Sequence, residues 1–98
     1  MAKYLLLALN GPTSPEGELA YNRWYDEIHV PDLLEVPGVT SAQRFKVVQG
    51  NVSWPYVAAY EIETDDLAEV LRVMETQPRP FDPNFDRSNS GHILAIAI

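Results

Sequence analysis

Two segments near the ends of the chain restrict the fold more than anything between them. Lys3–Leu9 reads KYLLLAL and His92–Ile98 reads HILAIAI, both short and apolar at nearly every position. A strand that lacks polar alternation needs cover on both faces. A sheet that holds both segments must therefore be packed from two sides.

The intervening residues supply cover for one side. Ser14-Pro15-Glu16 has the signature of a helix start, with a capping serine, proline at the first helical position and an acid in the first turn. This helix is expected to end near His29, because Pro31 disfavours helical geometry at Val30 and lacks a backbone N–H. Asp32–Val36 then adds one further turn before Pro37-Gly38. In the strand Val39–Val48, residues Val39, Ser41, Gln43, Phe45 and Val47 alternate with Thr40, Ala42, Arg44 and Lys46. Gln49-Gly50-Asn51 is turn chemistry, so Ser53–Glu63 reads as the partner strand of an antiparallel hairpin.

Thr64-Asp65-Asp66 offers N-cap oxygens to a second helix, where Leu67, Val70, Leu71 and Met74 form one apolar stripe. Gln77–Gly91 carries three prolines and is long for an unstructured connection, as lids and partner contacts are. The element order is βαββαβ. It predicts an α+β, ferredoxin-like domain: a four-stranded antiparallel sheet with two helices on one face. Since the helices leave the other face bare, a second copy of the sheet is expected to cover it, giving a homodimeric α+β barrel with its helices outside.

Composition narrows the partners. With 98 residues there is room for one domain. Fourteen acidic against seven basic side chains leave a formal charge of −7, which repels nucleic acid and anionic lipid surfaces. There is no cysteine, hence no disulfide or thiolate chemistry. No apolar stretch reaches bilayer length, and the opening residues lack a signal-peptide core, so a cytoplasmic protein is expected.

The first helix is the expected carrier of chemistry. Tyr21, Tyr25 and His29 recur at helical spacing, and Asn22 and Asp26 share a second stripe with His29. A histidine held between the helix macrodipole and burial is suited to proton transfer near neutral pH. The same residue in a last helical turn is equally at home capping carbonyls or pairing with Asp26. Both readings stand at this level. Trp24 is read either as core or as a wall of a binding site. Tyr4 and Tyr60 are strand tyrosines able to hydrogen-bond a carbonyl or phenol. Arg44 has the planar fork that holds a carboxylate, or makes a surface ion pair. His92 opens the last strand in phase with Leu94 and Ile96. No spacing suits a metal, and there is neither a phosphate-binding loop nor a nucleophile elbow, so no cofactor is expected.

The run WYDEIHVPDLLEVPGV, residues 24–39, followed by Arg44, resembles the signature of the EthD-like family of the dimeric α+β barrel superfamily. The resemblance implies a pocket between helices and sheet that takes a small hydrophobic, aromatic or polyketide-like molecule. His29 would stand beside it, with Trp24 and Tyr25 along the wall. On this basis a small cofactor-independent enzyme is expected, acting on a carbonyl compound by proton transfer at His29 and Tyr25. Tyr4, Tyr21, Trp24, Arg44, Tyr60 and His92 are its expected substrate-binding residues. A non-catalytic small-molecule-binding or accessory protein is the alternative.

Overall fold

The computed structural model describes residues 1–98. Its strands are β1 (Ala2–Asn10), β2 (Val39–Lys46), β3 (Tyr56–Thr64) and β4 (Gly91–Ile96). They form one antiparallel sheet in the order β2-β3-β1-β4, the arrangement expected of a ferredoxin-like chain. Helix α1 is continuous over residues 18–34, and α2 spans Leu67–Thr76. Both pack on the same face of the sheet. Tyr4, Leu6 and Ala8 of β1, with Ala58, Tyr60 and Ile62 of β3, meet Tyr21, Trp24, Tyr25, Leu33 and Val70 in one core. Complete burial of Ile62 alone contributes roughly 1.5–3 kcal/mol.

Pro31 does not stop the first helix, contrary to expectation. After an α-helical segment Glu18–Trp24, residues Tyr25–His29 form a π-helical turn, in which the Val30 N–H bonds the Tyr25 carbonyl five residues back. The α-helix then resumes over Val30–Leu34 with Pro31 in its first turn. The inserted residue relieves the clash between the proline ring and the preceding turn. It also places the missing donor where an α-segment has no intrahelical partner for it. The helix finally ends before Gly38, whose φ of +101° only glycine adopts without strain.

Other boundaries moved for similarly local reasons. Ser14 precedes a 3-10 turn, Pro15–Gly17, and its side chain caps nothing. The hairpin connection runs from residue 47 to 55, so β3 starts at Tyr56 rather than Ser53. Trp54 is drawn out of the strand to pack on Gly91, where a Cβ would lie 3.0 Å from the indole, and its Nε1 donates to the Asn89 carbonyl. A register shift between Val39 and Ser41 admits Thr40 as an extra residue. Val39 therefore shares the helix-facing side with Ala42 and Arg44, instead of alternating with them. Asp66 caps α2 as expected, accepting from the Glu69 N–H at 3.2 Å.

The opposite face of the sheet carries Leu5, Leu7 and Leu9 of β1 beside Val57, Phe45 and Ile93. Leu5 is 39%, Phe45 54% and Ile93 53% exposed, so this apolar face is open in the single chain. No helix is long and apolar enough to cross a membrane.

Candidate functional site

Between α1, α2, the sheet and the connection 77–90 lies a cavity of about 970 Å³. Its sheet side is Leu6, Ala8, Tyr60 and His92, and α1 contributes Tyr25, His29 and Leu33. Leu71 and Met74 close it from α2, and Phe81 from the connection. Half of its lining side chains are apolar and the rest polar or charged, a mixed wall that suits a small organic molecule carrying polar groups.

His29 stands in an aromatic box. Its ring is stacked on Trp24, with centroids 4.7 Å apart and planes 19° from parallel. Tyr25 meets it edge-on at 5.1 Å, and Phe81 lies 5.3 Å away. The residue is 8% exposed and Nδ1 is buried without a hydrogen-bond partner. Neither of the structural roles open to it in the sequence is realised: it caps no carbonyl, and Asp26 instead pairs with Arg44. Burial drives its pKa down to about 4, against a smaller upward pull from the Asp32 carboxylate. The imidazole is therefore neutral at physiological pH, with a lone pair able to accept a proton.

Tyr25 and Tyr60 bring two phenols to the same space. Tyr60 Oη is buried with no hydrogen-bond partner, and burial beside Tyr25 pushes its pKa up, so it stays a neutral donor. Behind Tyr25, a short relay fixes which way its hydroxyl points. Tyr21, fully buried, donates to Asn10 Oδ1, and Asn10 Nδ2 donates to the Tyr25 oxygen at 3.3 Å. The reverse amide orientation would strand the Tyr21 proton in the core, at a cost of about 1–3 kcal/mol. Since Tyr25 accepts from Asn10, its own proton is left for another acceptor.

Arg44 braces this arrangement from the far side. Its guanidinium lies 4.2 Å from the Tyr25 ring centroid, 5.2 Å from Tyr56 and 5.4 Å from Tyr21. It donates to Asp26 and to Asn22, each at 2.9 Å, and Asn22 in turn donates to the Tyr56 hydroxyl at 3.1 Å. Tyr56 completes the set by donating to Glu18 at 2.6 Å.

Of the residues expected from the sequence, His29, Tyr25, Tyr60 and His92 come together around the cavity. Trp24 backs the histidine from behind. Tyr21, Tyr4 and Arg44 lie outside the lining: Tyr21 and Tyr4 in the core, Arg44 in its ion pair and tyrosine cage. The sequence reading missed Asn10, the buried end of β1. It also missed the side chains of the connection. Arg79 grips the Asp32 carboxylate through its backbone N–H and Nε at 3.0 Å and Nη2 at 2.7 Å, which seats Phe81 over His29. Asn84 and Asp86 pin the other half to Thr13 and Gly11 through backbone hydrogen bonds of 2.9 and 3.1 Å. The length of Gln77–Gly91 and its two phenylalanines were the available signals. No group of three or more His, Asp or Glu side chains is arranged to hold a metal.

No protein-family model matches the sequence. Solved structures do match along the full chain. A DABB family protein with a ferredoxin-like fold from Mesorhizobium loti superposes with a TM-score of 0.74 at 10% identity, covering 100% of this chain and 99% of that one. The chain has a ferredoxin-like fold. An ethyl tert-butyl ether D (EthD) family protein from Bacillus halodurans agrees with a TM-score of 0.57 at 12% identity, with both chains covered completely. A dimeric ferredoxin-like protein of unknown function from Thermobifida fusca gives 0.58 at 8% identity, covering 95% of this chain and 89% of that one. Among curated sequences, Core atranone cluster (CAC) protein 1 of Stachybotrys chlorohalonatus is 33% identical over 79 residues, 80% of this chain. The chain spans about a third of the length of that relative, at 33%.

Proposed function

We propose that the protein is a small enzyme of EthD-like type, acting on an aromatic or polyketide-like carbonyl compound by proton transfer in the cavity between helices and sheet. One observation carries this reading: His29 is walled by aromatic rings at the cavity and spends no nitrogen on a structural hydrogen bond. In the proposed step the neutral imidazole takes a proton from the carbon next to the carbonyl. Tyr25 and Tyr60 donate hydrogen bonds to the oxygen on which negative charge develops. That charge, forming near the imidazolium, offsets the desolvation that otherwise disfavours the cation. Isomerisation, cyclisation, dehydration and decarboxylation all proceed from such an enolate.

A homodimer in the cytoplasm is part of the reading. The bare apolar face of the sheet supports a dimer, as does the dimeric state of the Thermobifida protein. The depressed pKa of His29 favours a second reading, a non-catalytic binding or accessory protein, because a weak base held in an aromatic box serves as well to stack a ligand.

A thermal-shift screen of phenols, quinones, lactones and keto acids on wild type and His29→Ala tests the site. Ligands that raise the wild-type midpoint and not the variant's are expected. Absence of any such ligand would contradict both readings.

A further inference from the structure

The chain is acidic, yet most of the charged side chains that line its cavity are basic. Arg72, Arg79 and Arg87, three of the seven basic residues, line it, against Glu75 alone of the fourteen acidic ones. Two of the three arginines are already matched: Arg72 by Glu69 at 2.6 Å and Arg79 by Asp32 at 2.7 Å. Arg87 has no carboxylate partner. Its guanidinium rests over the Phe81 ring, 4.5 Å from the centroid, with its hydrogen-bonding edge unused by any protein acceptor. The residues before it are anchored by the Asp32–Arg79 clamp and the Asp86–Gly11 hydrogen bond, those after it by the Trp54 Nε1 bond to the Asn89 carbonyl, and Ser90 and His92 also line the cavity.

We infer that the cavity takes an anionic ligand, a carboxylate on an aromatic or otherwise flat apolar body, and that Arg87 holds the carboxylate. The inference rests on the proposed ligand site and names the chemical class that fills it. The body lies against Phe81, Met74 and Leu6, while the acid group stays at the rim where Arg87, Ser90 and His92 offer donors. A guanidinium stacked on an aromatic ring keeps its planar fork directed outward, the geometry that receives a carboxylate through two parallel hydrogen bonds. With Arg72 and Arg79 held by their own carboxylates, Arg87 is the cation of this cleft left to meet an anionic ligand.

The test uses matched pairs: benzoate, salicylate and 2-naphthoate, each beside its methyl ester, titrated against the full chain by isothermal titration calorimetry. The acid of at least one pair should bind about tenfold tighter than its ester, as a charge-assisted hydrogen bond to one guanidinium provides. Arg87→Gln should erase that preference while leaving ester binding intact, and Arg23→Gln, an exposed arginine away from the cavity, should leave the preference unchanged. Equal binding of acid and ester, or a preference that survives Arg87→Gln, would overturn the anion inference and leave the cavity as a ligand site. Failure of every acid and every ester to bind would overturn the ligand site together with the inference.

Discussion

The imidazole of His29 lies parallel to the indole of Trp24 at 4.7 Å and makes no hydrogen bond that would hold a positive charge. Protonation in the folded state is therefore disfavoured, and its pKa of about 4 lies below the ordinary 6.5. Between those two values the unfolded chain binds more protons than the native one, so stability rises with pH across the window from about 4 to 6.5. Between pH 7 and 4.5 this one residue should remove about 2–3 kcal/mol. Urea unfolding of His29→Phe, which keeps the stack on Trp24, is expected to lose that much less over the same range. Asp32, held down to about 2 mainly by its hydrogen bonds to Arg79, acts only below its ordinary 3.8 and is common to both proteins.

Tyr60 presents the opposite balance of stability and function. Its hydroxyl is buried with no partner, an arrangement that destabilises the free protein. Tyr60→Phe should leave the unfolding free energy unchanged or raise it by up to about 1 kcal/mol. Ligand affinity or turnover should fall in the same variant. A variant clearly less stable than wild type would show that the hydroxyl serves the fold instead.

Arg44 works through its neighbours. Arg44→Met removes the cation over Tyr25 and leaves Asn22 and Asp26 without their donor, and should destabilise the protein by about 2 kcal/mol in chemical denaturation. Arg44→Lys should recover little of the loss, because an ammonium cannot reach both acceptors while lying flat on the ring.

The architecture was legible because strand and helix periods are local. KYLLLAL and the Leu67, Val70, Leu71, Met74 stripe declare their elements without help from the rest of the chain. The site was half legible: helical spacing places Tyr25 and His29 together, whatever their neighbours. What the sequence hid depended on exceptions to local rules. A π-turn rescues Pro31 from its usual effect, so the helix runs five residues past His29. The extra residue at Thr40 moves Val39 to the other face. Phe81 and Arg79 reach the cavity only because Arg79 finds Asp32, 47 residues away in sequence, and no periodicity announces such a pairing.

The bare sheet face yields a separate prediction. Leu5, Leu7, Phe45 and Ile93 present an apolar surface that a second copy of the sheet would bury. Sedimentation equilibrium should find the wild type dimeric. Ile93→Glu, which sets a charge in that face, should give a monomer with an unchanged far-ultraviolet circular dichroism spectrum, and a wild type that sediments as a monomer would contradict the homodimer.

Hydrogen exchange into substrate tests whether His29 moves a proton on a bound carbonyl compound. Aromatic 1,3-dicarbonyl and keto acid compounds that shift the melting midpoint would be incubated in D2O with wild type and His29→Gln. Loss of the α-proton signal would be followed by nuclear magnetic resonance. Exchange well above the buffer rate is expected with wild type, reduced at least about a hundredfold in the variant, the scale of one general base. Equal exchange by the two proteins would contradict the role given to His29. Tight binding with no exchange above buffer would turn the protein from an enzyme into a carrier.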